Sequence, residues 1–178
     1  MSPSLRVVVL TGDTSAALDG IGLPWETRPV RKGAAPDRMV REAFVRGADQ
    51  VVLAGVELSP EEVRQGLAML PGADAVAWLD ERPTPRWAAW WNAAVDGHFP
   101  APRVLALGLW RHAWDALHNR GRGRTVRGLA VESALRLHHL GLDVRPLSGR
   151  ASPGWSGRTG WEVARGVWWA HWRSRVGG

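Results

Sequence analysis

Cysteine and tyrosine are absent from the 178 residues, and Lys32 is the single lysine among 23 basic residues. Without cysteine there is neither a disulfide framework nor a thiolate zinc site, which fits a reducing compartment. No apolar run approaches the roughly 20 residues needed to cross a bilayer, so no membrane span is expected. The opening stretch, Met1 to Leu10, lacks the basic segment, apolar stretch and small-residue cleavage site of a secretory signal, and the expectation is a cytoplasmic protein. Also missing are a Gly-x-Ser-x-Gly elbow, a phosphate loop of the Gly-x-x-x-x-Gly-Lys kind and a Gly-x-Gly-x-x-Gly after a strand. Hydrolase, ATPase and dehydrogenase readings lose their usual support. The histidines do not supply a metal site by spacing: His138 and His139 diverge by about 100° on a helix, and His112 and His118 stand nearly two turns apart.

What is present in excess is arginine and tryptophan. The formal charge is +6, and the chain holds 12 tryptophans against two phenylalanines. Arginine forks suit phosphates and carboxylates, although Arg-for-Lys usage alongside many Ala, Gly and Val also follows from a GC-rich coding genome. Nucleic-acid binding therefore ranks third among the readings, since the arginines are scattered along the chain. The tryptophans cluster as Trp87, Trp90, Trp91 and as Trp168, Trp169, Trp172. Large indoles of this kind serve first as core and interface aromatics and second as platforms for a sugar ring.

Strand and helix patterns alternate. Leu5–Leu10 and Gln50–Ala54 read as buried strands, and Trp25–Val30, weakened by Pro24 and Pro29, as a strand at an edge or as part of a loop. Ala73–Leu79 and Arg103–Leu109 read as further strands, and Asp143–Leu147 as a last short one. Helices are predicted over Asp37–Arg46, over 87–94, near Arg111–His118, over Leu129–Leu140 and over Trp161–Arg173. Another starts at Ser59, where Ser59, Pro60 and Glu62 form an N-terminal capping signature and the helix runs to about Leu70. Loops are predicted at Asn119–Arg127 and Ser148–Gly160. One domain over 1–178 is expected, with 147–178 as a C-terminal loop and Trp-rich helix. The fold class is α/β, a mainly parallel sheet with helices on both faces in three layers.

In this order of elements, Lys32–Pro60 (KGAAPDRMVREAFVRGADQVVLAGVELSP) and Val131–Val144 (VESALRLHHLGLDV) resemble segments of the family 2, GT-A type, glycosyltransferases. Val104–Leu117 resembles the acceptor-side strand and helix of that family. The resemblance implies a GT-A-like fold that binds a nucleotide-sugar donor and passes its glycosyl group to an acceptor hydroxyl. It also implies a divalent cation, Mn or Mg, carried on Asp-x-Asp carboxylates. Here those places hold Leu53-Ala54-Gly55 or Gly55-Val56-Glu57, which leaves Glu57 as the candidate metal ligand. Glu57 reads equally as an exposed acid favourable to the next helix start.

By the same resemblance the general base falls near Leu129 and Ala130, and Glu132 is the nearest carboxylate; its competing reading is an i,i+4 partner of Arg136. Asp13, Arg38, Gly55, Glu57 and Arg158 are the candidate donor-binding residues. Asp13 competes with a turn-capping role, and Arg38 and Arg158 with solvated surface charge. Arg122, Arg124 and Arg127 join Arg38 and Arg158 as a set of cations able to replace the missing metal charge at a diphosphate. The alternative function is a catalytically silent relative that binds a nucleotide, a glycan or a protein. The chain is short for the family, so a protein partner or a second copy docking on the Trp-rich terminal helix is a further expectation.

Overall fold

A computed structural model describes residues 5–12, 25–30, 33–83, 99–117 and 125–148, with single positions at 86, 89, 90, 93, 161, 164, 165, 167, 168 and 172. The expected helix over 87–94, most of the 119–127 loop and the 149–160 loop lie outside the described residues, apart from positions 89, 90, 93, 125, 126 and 127. Among the described residues there are six strands: β1 Val7–Thr11, β2 Trp25–Pro29, β3 Gln50–Ala54, β4 Ala75–Leu79, β5 Val104–Trp110 and β6 Val144–Ser148. Among the described residues four helices have both ends placed: α1 Pro36–Val45, α2 Pro60–Met69, α3 Arg111–Ala116 and α4 Val126–His139.

The strands form a single sheet in the order β2-β1-β3-β5-β4-β6. β1 runs parallel to β2 and to β3, with Val7 opposite Trp25 on one side and Gln50 on the other. The strands expected at Leu5–Leu10 and Gln50–Ala54 therefore lie side by side and point the same way. The expectation of a mainly parallel sheet needs correction: β5 is antiparallel to both β3 and β4, so the sheet is mixed. Composition could not show this, because a fully buried strand such as Val104–Leu109 reads the same in either direction. β4 and β6 are again parallel. Both outer strands contain a proline, Pro29 in β2 and Pro146 in β6.

Strict alternation sends neighbouring side chains to opposite faces of the sheet. Val8, Leu10, Val51, Leu53, Ala75, Ala77, Leu107 and Leu109 meet α1, α3 and α4 in the larger apolar cluster. Val7, Val9, Val52, Ala54, Trp78 and Ala106 meet Leu58 and Val63 on the other side, where α2 packs. Helices thus cover both faces, as expected. The predicted capping box of α2 is present: Ser59 Oγ accepts from the Glu62 amide at 3.3 Å, and Glu62 Oε2 accepts from the Ser59 amide at 2.6 Å. α4 begins three residues earlier than predicted, because Thr125 Oγ1 accepts from the Gly128 amide at 3.1 Å and caps the first turn. Among the described residues no helix is long and apolar enough to cross a membrane.

Candidate functional site

After β1 the chain moves outward to β2, then returns through α1 to the opposite side of β1 as β3. The connections therefore diverge between the carboxyl ends of β1 and β3. In open α/β sheets such a switch point leaves a crevice that no crossover fills. Thr11 and Gly12 end β1 there, and Ala54 and Gly55 end β3; the Gly12 amide donates to Ala54 O at 3.3 Å. Thr11 is 1% exposed, and its Oγ1 has no hydrogen-bond partner among the described residues. A buried hydroxyl left unmatched calls for an explanation, and a polar ligand group is one.

The N-terminus of α4 is pressed onto the same place. A Cβ on Gly55 would stand 2.5 Å from Arg127 Cβ, 2.6 Å from Arg127 Cα and 2.7 Å from Leu105 O. Two of those atoms are backbone, so only glycine lets the first turn of α4 sit over the end of β3. The Gly55 amide itself donates to Leu105 O at 3.1 Å. Gly55 thus brings a helix N-terminus and the base of Arg127, 8% exposed, to the switch point. The first-turn amides of a helix favour anions.

Further along this edge stand residues that the sequence reading treated only as part of a proline-bearing connection or a strand start. Asp80 follows β4 and is 1% exposed; its carboxylate accepts from the Arg82 amide at 3.0 Å and from the Arg82 guanidinium at 3.2 and 3.3 Å. Arg103 precedes β5 and donates through Nε to Asp80 O at 2.7 Å. Arg82, Arg103 and Arg127 therefore come from three elements to one edge of the sheet. From β1 across β3 and β5 to β4 that edge is roughly 14 Å wide, at the usual strand spacing. The signal available in the sequence was position alone, since a charged residue directly after a buried strand falls at the rim of the sheet.

The other candidates are dispersed. Arg38 is in the first turn of α1, with its side chain 79% exposed and Nε 3.0 Å from Glu42 Oε1. Glu57 is exposed in the connection from β3 to α2. Asp13, Arg122, Arg124 and Arg158 lie outside the described residues. Glu132 is fully enclosed in α4, with Oε1 3.8 Å from Arg136 Nη1. A general base has to come within hydrogen-bond reach of the proton it removes; the Glu132 carboxylate faces packed interior.

Of the positions that the resemblance gives to a divalent cation, Glu57 carries the one carboxylate, and it is exposed. Gly55 and Val56 carry no ligating side chain, and no group of three His, Asp or Glu residues is drawn together among the described residues. His138 instead stacks on Phe99, ring centroids 5.0 Å apart, and His112 Nε2 is 2.8 Å from Asp74 Oδ1.

No protein-family model and no curated protein matches the chain. Among solved structures it is similar to one assigned as a nucleotide-diphospho-sugar transferase from Desulfovibrio desulfuricans G20, at 17% identity and a TM-score of 0.36. The match covers 71% of this chain and 48% of that one, so the chain spans about half the length of that relative. A likeness at this level does not decide a function.

Proposed function

We propose that the chain binds a nucleoside-diphosphate sugar at the carboxyl ends of β1 and β3. The observation that carries this reading is the switch point between those two parallel strands, with the N-terminus of α4 set over Gly55. The diphosphate would lie against the first turn of α4, within reach of Arg127, Arg103 and Arg82; the nucleoside would lie beside Thr11 and Asp13. Arg38 is assigned to the rim and Glu57 to the loop bordering the sugar, with Arg158 proposed as a further cation for the diphosphate. In the transfer itself the bond from the anomeric carbon to the diphosphate oxygen breaks and a bond to the acceptor oxygen forms. The acceptor proton goes to a base, and the diphosphate leaves with the electron pair. Arginine and helix amides would balance that charge in place of a metal ion.

A second reading, a domain that binds the nucleotide without transfer, is favoured by the enclosure of Glu132. Thermal unfolding with uridine, guanosine, adenosine and thymidine diphosphates and their sugar conjugates, each with Mg, Mn or chelator, tests the shared part. A ligand at 100 times its dissociation constant stabilises the fold by about 2.7 kcal/mol. Arg127→Gln should weaken binding of the responding ligand by roughly tenfold, the loss of one charge-assisted hydrogen bond. No shift with any of them would remove both readings. Binding without consumption of the donor, in the presence of a panel of acceptor alcohols and glycans, would leave the silent module.

A further inference from the structure

The terminal helical residues present an apolar surface that the donor site does not use. Trp161, Trp168 and Trp172 are 70, 51 and 49% exposed. Their spacing of seven and four residues places them within about 40° of one another around a helix, and Arg165 falls next to the same stripe. Val167 points elsewhere: it is completely buried in the larger apolar cluster. The stripe is therefore fastened to the folded core through Val167 and faces outward through its indoles.

Charge identifies what such a stripe fits. Residues 149–178 contain Arg150, Arg158, Arg165, Arg173 and Arg175 against the single acid Glu162, in a chain of formal charge +6. Two copies meeting on this face would bring like charges together, whereas an anionic lipid surface is complementary. The indole suits that surface too, because its apolar rings and its N–H are satisfied together at the level of the headgroups. Helices that lie in the interface combine an aromatic face with arginine or lysine. From this exposed tryptophan stripe, with Arg165 next to it, and from the basic composition of residues 149–178 we infer that the chain docks on anionic phospholipid bilayers as a peripheral protein.

The full chain is mixed with vesicles of phosphatidylcholine alone or with about 30% phosphatidylglycerol, and bound protein is separated by flotation. Binding is expected on the anionic vesicles, about fivefold tighter for each arginine engaged, and is expected to be lost in about 0.5 M sodium chloride. Vesicles with brominated acyl chains should quench part of the tryptophan emission. Trp161→Ser and Trp168→Ser should each weaken binding by roughly tenfold, the worth of burying a large apolar side chain, with an unchanged melting temperature. Should either variant fail to fold, quenching of the unaltered chain decides the matter alone. The inference is overturned by equal recovery with both vesicle types and no quenching. It is overturned as well by a dimer in light scattering that Trp161→Arg dissociates, which would assign the stripe to a second copy.

Discussion

The two faces of the sheet are packed by different means. On one, α1, α3 and α4 spread over Val, Leu and Ala side chains, and α4 is so deeply set that every residue from Val126 to Leu135 is buried, Glu132 included. On the other, α2 rests on a smaller cluster that holds two buried indoles, Trp25 and Trp78. Trp78 lies against two glycines at once: a Cβ on Gly66 would stand 1.9 Å from Trp78 Cζ2, and one on Gly108 3.2 Å from the same ring. The indole also donates through Nε1 to Glu62 O at 3.1 Å. The first face joins aliphatic side chains to the rings of Phe44, Phe99 and Trp114 around one buried acid; on the second, Trp78 is a shape matched to two absent side chains.

That contrast can be broken most strongly at Glu132. Glu132→Ala removes a carboxylate enclosed beside Arg136, whose Nη2 also donates to Leu117 O at 2.5 Å. Removing one member of a buried pair costs about 3 kcal/mol or more, and urea unfolding should show at least that loss. A change within experimental error would mean that the acid is solvated after all. On the opposite face, Gly66→Ala should cost about 2 kcal/mol even though alanine favours a helix by about 1 kcal/mol, because the ring of Trp78 occupies the space. A stabilised variant would show that Trp78 is not seated there. Ser59→Ala should cost about 1 kcal/mol by opening the cap of α2, and the melting temperature reads it directly.

The smallest effect lies at the amino edge of the sheet. The Asp74 carboxyl is held below its ordinary value by the hydrogen bond with His112 and then by the Asp143 amide, which donates to Oδ2 at 2.8 Å. A carboxyl whose folded value is depressed contributes stability that is complete above its unfolded value and is lost as pH falls through the folded one. The stability advantage over Asp74→Asn should therefore be constant near neutrality and shrink as the pH drops below about 4. An advantage that grows in acid would reverse the assignment.

Local chemistry was the legible part of this fold. Gln50–Ala54 was bounded correctly because turn residues flank a short buried run, and Ser59, Pro60 and Glu62 announced their helix through hydrogen bonds that involve only neighbours. The direction of β5 was not legible, since it follows from how the chain returns between Asp80 and Arg103 rather than from any residue in the strand. Thr125 could have marked the start of α4, but Gly128 in the first turn argues against helix by propensity. At the site, β1 and β3 were legible as buried strands, whereas the role of Gly55 was not: its backbone meets α4 first, a contact between residues far apart in sequence. Glu132 misled for a related reason. An acid four residues before an arginine has the spacing of a solvated pair, and only tertiary packing turned it inward.

The prolines at the two outermost strands have a consequence for handling the protein at high concentration. Pro29 and Pro146 each remove a backbone donor from a rim where a foreign strand could attach. Sideways growth of the sheet into fibres is opposed at both ends.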